Sequence, residues 1–350
     1  MKNRLLLTIL LAAMLLAVFA TSFVQADTLV VLNKSEATAS LVDLSSGTVR
    51  ATLSTGDGPH EVAVSPGGRL ALVGNYGTRG APGSSLTVID LAKAKIYKTI
   101  DLGEYRRPHG ILWLPDGYRA LVTAEDSRAL LEIDVRKGTV ERAFVTDQDV
   151  SHMVEVALGG SRAFVANIGS GTVTVIDLNQ GTVIQNIATG AGAEGITAST
   201  DGNEIWVTNR SADTVSVIDA GSLEILAVIP CASFPIRAKA TPDGKNFLVS
   251  CARSADIAVL DVASRKEVRR IPQDLRAVDT KERLFGDRFG ESSVPIGIVI
   301  HPNGNTAWVA HTNADVVAEI DLESWKIVRL LEAGREPDGM AYSALEVKID

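Results

Sequence analysis

The stretch EGITASTDGNEIWVTNRSADTVSVID, from Glu194 to Asp219, reads as three short strands separated by turns. Apolar and polar residues alternate through EGITAST, the turn DGN follows, EIWVTN alternates again, and TVSVID closes on an aspartate. A period of two, bounded by Gly, Asp and Asn, marks half-buried β-strands joined by tight turns. A fourth, outer strand completes the unit, as TVIQNIATG does in the preceding copy.

The closing aspartate recurs along the chain in SLVDL, LTVIDL, LLEIDV, VTVIDL, VSVIDA, IAVLDV and VAEIDL, at Asp43, Asp90, Asp134, Asp177, Asp219, Asp261 and Asp321. Successive spacings are 47, 44, 43, 42, 42 and 60 residues. A period just above 40, built of strand and turn with little helical periodicity, is that of a propeller blade and not of a helical solenoid. The innermost strand, A, also occurs seven times, beginning near His60, His109, His152, Glu194, Ile236, Ile296 and Asp338. The last, EPDGMAYS, has no B, C or D strand after it, whereas TLVVLNKSEATASLVDLSSGTVRATL has no strand A before it. The two ends are therefore predicted to complete one blade, closing the ring and covering its exposed sheet edges. The expected fold is all-β: a seven-bladed β-propeller of four-stranded antiparallel blades, one domain over residues 27–350.

At these residues the chain resembles the YVTN family of β-propeller repeat proteins, seen also in YncE-like exported proteins. The resemblance rests on EGITAS, the TDGN turn, IWVTN and TVSVID. It implies the propeller fold throughout. Repeats of this kind occur in surface-layer proteins, binding proteins and domains related to the haem d1 propeller, so the resemblance implies no single activity.

Residues 1–26, MKNRLLLTILLAAMLLAVFATSFVQA, place Lys2 and Arg4 before an apolar run and small residues Val24 and Ala26 before a cleavage point. This is the pattern of a signal peptide, with an uncleaved anchor as the alternative. Export to the periplasm or beyond, a monomer, and no membrane attachment after cleavage are expected. Without Lys2 and Arg4 the chain carries 32 Lys+Arg against 42 Asp+Glu, a formal charge of −10. Such a balance disfavours broad binding to nucleic-acid phosphates.

The D–A and B–C loops share one face of a propeller, here called the top. The ring at the start of strand A reads His60, His109, His152, Glu194, Ile236, Ile296, Asp338. Three of five histidines thus stand at one repeat position in consecutive blades. Imidazoles and carboxylates are ordinary ligands for zinc or another divalent ion, which makes His60, His109, His152 and Glu194 a candidate metal set. The competing reading is inherited repeat sequence, each ring bonded to backbone. Strand B ends at Asn33, Asn75, Ala124, Asn167, Asn209, Cys251 and His311, where the asparagines read as turn-forming residues and His311 as a pocket-wall residue. Cys231 and Cys251 both fall on the top face and are expected to pair as a disulfide, with a reduced metal-binding pair as the alternative.

Two segments break the repeat: residues 272–292, between strands D and A, and residues 76–85, between B and C. The first is long enough to lie over the channel mouth as a lid. Arg237 and several other arginines on these loops suggest either a mixed solvated surface or an anion-binding mouth. No G-x-S-x-G, P-loop, C-x-x-C-H or H-E-x-x-H motif is present. The reading that follows is a non-catalytic exported binding protein, taking a small molecule or a protein at the channel mouth. Its alternative is a metal-dependent hydrolase, lactonase or lyase with His311 or Glu61 as base. Electron transfer, by analogy with d1-type propellers, is the third reading.

Overall fold

The computed structural model describes residues 27–278, 281 and 283–347; the expected signal segment lies outside them. The described chain forms seven four-stranded antiparallel sheets. Blade 1 contains Pro59–Val64, Leu70–Gly77, Pro82–Asp90 and Lys95–Asp101, in order from inner strand A to outer strand D. Strands A of blades 2 to 6 are Pro108–Trp113, Ser151–Ala157, Ala193–Ala198, Pro235–Ala240 and Pro295–Ile300. Blade 7 joins the chain ends: Pro337–Ser343 is its strand A, and Thr28–Asn33, Thr38–Asp43 and Thr48–Ser54 are B, C and D. Thr28 stands opposite Ser343 and Asn33 opposite Pro337, so the closure read from the sequence holds.

Each strand A packs against those of the two neighbouring blades, and the seventh packs against the first. Burial follows this arrangement. Leu29–Leu32 and Phe247–Val249 on B strands are fully buried, whereas Thr182–Ala188 on a D strand is exposed at every residue but Ile187. Trp206 stacks on Phe247 across the boundary of blades 4 and 5, with ring centroids 4.2 Å apart. A register shift between strands C and D recurs in every blade, adding the local twist that fans the sheets.

The repeated polar residues serve the turns. Asp43, Asp177 and Asp219 each accept hydrogen bonds from two backbone N–H groups of the following turn. Asn33, Asn75, Asn167 and Asn209 donate through Nδ2 to paired hydroxyls on strand C, such as Thr214 and Ser216 for Asn209. Residues 76–85, expected as an inserted loop, mostly lengthen a hairpin: Gly77 pairs with Pro82, leaving 78–81 as the turn. The long D–A segment does lie over the top, where Phe285 and Phe289 pack on Phe234, Ile236 and Ile296.

Candidate functional site

The first residues of strands A converge at the channel mouth. His60, His109 and His152, from blades 1 to 3, form one column of rings, with centroids 4.2 Å apart between the first two and 3.6 Å between the last two. Tyr76 stands edge-on to His60 and His109 at 5.2 and 5.6 Å. All three imidazoles are buried. A cavity of about 230 Å³ opens beside them, lined also by Glu125, Glu194, Arg210, Arg237, Phe285 and Arg288.

Close approach of the blades depends on the residue after the ring position. It is glycine at 110, 195, 297 and 339, and a Cβ there would lie only 2.2–2.6 Å from the carbonyl oxygen of the next blade's ring residue. Where strand B offers a hydroxyl, it links the blades. Thr123 accepts from Gly110 N–H at 2.8 Å and donates to His152 O at 2.6 Å. Thr208 does the same between Gly195 and Ile236, and Ser250 between Arg237 and Ile296.

The two ends of the histidine column differ. Lys34 Nζ donates to His60 Nε2 at 2.8 Å, and His60 Nδ1 lies 3.1 Å from Asp338 Oδ2 without hydrogen-bond alignment. His152 Nδ1 is hydrogen-bonded to Glu125, and its Nε2 lies 3.4 Å from Glu194 Oε1. Glu125 accepts from Tyr76 OH at 2.5 Å. Glu194 is held by Arg210 at 2.7 Å and Arg237 at 3.2 Å, and Arg237 also reaches Glu61 at 2.6 Å. His109, between the two ends, has no hydrogen-bond partner on either nitrogen.

These surroundings set the charges. Burial, reinforced by Lys34, keeps the His60 pKa well below its ordinary value, and burial beside His152 does the same for His109. Both imidazoles are therefore neutral; the lone pair of His60 is taken up by Lys34 at Nε2, while that of His109 is free. Burial opposes charge on His152 too, but Glu125 and Glu194 hold its pKa above the ordinary value. Burial raises Asp338 to about 7, although Lys34 acts against it. Burial would also raise Glu194, yet Arg210, His152 and Arg237 bring it down to about 2.

Of the residues expected at the mouth, His60, His109, His152, Glu194, Arg237 and Asp338 do assemble there. His311 does not: it is fully buried under the long D–A segment, bonded to Ser293 Oγ at 2.9 Å and Gln273 Oε1 at 3.2 Å. Burial lowers its pKa to about 3, and with both nitrogens engaged it forms no pocket wall and supplies no base. Among the described residues, two groups bring three ligand atoms within 4.8 Å of one another: His60, Glu61 and His109; and His109, Glu125 and His152. Glu194, expected as a ligand, belongs to neither, because its oxygens face Arg210 and Arg237. Cys231 and Cys251, expected as a disulfide, are free buried thiols in this structure. Their mutual contact, together with burial, pushes the Cys231 thiol far up.

Lys34, Tyr76 and Glu125 were not among the predicted site residues. They occupy the position just after the repeat asparagine of strand B, which reads Lys34, Tyr76, Glu125, Ile168, Arg210, Ala252, Thr312 around the ring. That second ring carries the missing signal.

Fold and site together define a seven-bladed β-propeller with a polar, histidine-rich channel mouth. Residues 120–280 match the family model of the YNCE-like beta-propeller, which bears out the resemblance drawn from the repeats. No curated protein matches the sequence. Among solved structures, the chain is similar to Kuenenia stuttgartiensis hydrazine synthase, at 20% identity and a TM-score of 0.68, covering 84% of this chain and 92% of that one. It is similar to a functionally unknown protein from Desulfotomaculum acetoxidans DSM 771, at 13% identity and 0.74, covering 91% and 99%. A third likeness is to dihydro-heme d1 dehydrogenase NirN in complex with DHE, at 17% and 0.62, covering 88% of this chain and 64% of that one. At these identities the likeness is one of fold.

Proposed function

We propose that the protein is an exported, non-catalytic propeller that holds a small ligand at its channel mouth. One observation carries this reading. Around one mouth, both nitrogens of fully buried His109 and Asp338 Oδ1 lack a hydrogen-bond partner, and His60 Nδ1, His152 Nε2 and Asp338 Oδ2 meet only ionic neighbours at 3.1–3.9 Å. Native interiors rarely leave such atoms unpaired, and an unmet buried polar group costs about 1–3 kcal/mol, so a cluster of them supports a site built to be completed from outside. Perturbed titratable groups gathered in one concavity point the same way. The signal-like composition of residues 1–26, the closed ring and the acidic charge favour a monomeric carrier of a small molecule over a nucleic-acid partner.

The test is thermal melting of the mature protein with separate millimolar acetate, sulfate, phosphate and zinc, repeated on His109→Ala. A probe at 100 times its Kd stabilises by about 2.7 kcal/mol, a rise in Tm of several degrees. Such a rise in the wild type, absent in the variant, supports the reading; no rise with any probe overturns it. A metal-dependent hydrolase, lactonase or lyase is the second reading, favoured by Asp338, which burial poises near neutral pH beside His60. Turnover of simple lactones or esters that is lost in Asp338→Asn would displace the first reading in its favour.

A further inference from the structure

We propose that the ligand point of the mouth is the group His109, Glu125 and His152, and that it takes one divalent transition-metal ion of the zinc type. The inference rests on the reading of the mouth as a ligand site and names what that site takes. Three observations support this assignment, and the second sets it apart from the rival group.

The first is the set of donors left over. His109 is fully buried, lines the cavity and has neither nitrogen engaged, and His152 Nε2 is likewise without a hydrogen bond. Both His109 nitrogens are thus left without a protein partner, and the nearest acceptor to His152 Nε2 is Glu194 Oε1 at 3.4 Å; neutral imidazole nitrogens are common metal ligands.

The second is charge. His152 stands between two carboxylates, Glu125 on Nδ1 and Glu194 3.4 Å from Nε2. That environment favours a cation. In the rival group, His60, Glu61 and His109, two donors are already engaged: His60 Nε2 accepts from Lys34, and Glu61 is held by Arg237 at 2.6 Å. A divalent ion there would have to displace both partners and meet the buried Arg237 guanidinium, which low-dielectric surroundings make costly.

The third is support around the donors. Tyr76 OH fixes Glu125 at 2.5 Å, and Arg210 fixes Glu194 at 2.7 Å. Outer partners of this kind orient carboxylates at metal sites. The ligand atoms lie within 4.8 Å of one another; zinc bonds of 2.0–2.1 Å in a tetrahedron place ligands roughly 3.4 Å apart. Side-chain rotation of about 1 Å at each donor closes the difference. Zinc, with nitrogen and carboxylate ligands and an open position toward the cavity, suits the donor set.

The mature protein, stripped with a chelator and dialysed, is titrated with Zn²⁺ by calorimetry and with Co²⁺ by visible absorption. One equivalent of zinc and the intense d–d bands of a low-symmetry Co²⁺ site are expected. Glu125→Gln and His109→Ala should each weaken zinc by at least about 100-fold, and Tyr76→Phe by about 10-fold, with far-UV circular dichroism confirming the fold. Failure of the wild type to bind either ion overturns the proposal. So does zinc that survives Glu125→Gln but is lost in Glu61→Gln, which places the ion in the rival group. If zinc fails but an anion still raises Tm in a His109-dependent way, the metal inference falls and the ligand site stands. If no probe binds, both fall.

Discussion

Replacing Gly110 by alanine tests the physical basis of the site, which is that neighbouring blades touch backbone to backbone at the ring. The added Cβ would lie 2.6 Å from His152 O, 2.7 Å from Met153 Cα and 3.0 Å from Val154 N. Ordinary carbon contacts lie at about 3.5–4.0 Å, so blades 2 and 3 must separate by close to 1 Å at this point. The neighbours are backbone atoms and have no rotamer to yield. Overpacking of this kind costs about 1–3 kcal/mol. The same movement stretches the two hydrogen bonds through Thr123 Oγ1, which adds about 1 kcal/mol. Together these predict a loss of about 2–4 kcal/mol, or about 4–8 °C in Tm at roughly 2 °C per kcal/mol for a chain of this size. Gly117→Ala is the control. Gly117 has φ +74° and nothing within 4 Å of the position of a Cβ, so only left-handed strain of about 1 kcal/mol applies. The assay is calorimetric melting of the three proteins side by side. If Gly110→Ala melts with the wild type, or no lower than Gly117→Ala, the close-approach argument is wrong.

Thr123→Val keeps the shape but leaves buried Gly110 N–H and His152 O without their shared partner, and should lower stability by about 2–3 kcal/mol in urea titration. Asp338 has a folded pKa raised to about 7, above its ordinary value of 3.8. The folded state thus holds its proton more tightly, and stability is lost as pH rises from about 4 through 7. Asp338→Asn should therefore raise Tm at pH 8 and change it little at pH 4; a larger gain at pH 4 would refute the assignment. Deleting residues 337–350 removes strand A of blade 7 and bares the edge of Thr28–Asn33. Size-exclusion chromatography should find aggregate eluting ahead of the wild-type protein. Cys231 and Cys251, as free buried thiols, should resist alkylation in the native protein and both become labelled once it is denatured without reductant; protection that persists in denaturant until reductant is added would show that they had paired.

The fold was legible because its unit is local and repeated. One aspartate per blade and an asparagine at the end of four of the seven B strands do turn work that a sequence displays directly, and the orphan strands at the two ends predict their own pairing. The first ring of the site was legible for the same reason: His60, His109 and His152 share one repeat position. The second ring was not, although it too is a repeat position. The asparagines that end strand B point into the blade, toward hydroxyls on strand C. A shift of one residue in a β-strand turns a side chain to the other face, so Lys34, Tyr76, Glu125 and Arg210 point instead at the channel. His311 misled for the same reason. It stands at the asparagine position and is likewise turned inward, away from the channel, where it bonds Ser293 and Gln273 of the D–A segment.

Which ring residue carries chemistry is therefore decided between blades. His109 and His152 lie 43 positions apart yet stack at 3.6 Å, because Gly110 lets the backbones meet. What divides them is the second ring: Lys34 reaches His60 from blade 7, and Glu125 reaches His152 from blade 2. A histidine placed by repeat inheritance acquires its proton affinity from a residue in another blade. Exchanging those neighbours should exchange the properties. Glu125→Lys would set a cation against His152 as Lys34 is set against His60, lowering the His152 pKa and abolishing the zinc point. Titration of the imidazole resonances by NMR would read that change directly. A His152 resonance that titrates in Glu125→Lys as it does in the wild type would mean that the blade's own strand, and not its neighbour, sets the charge.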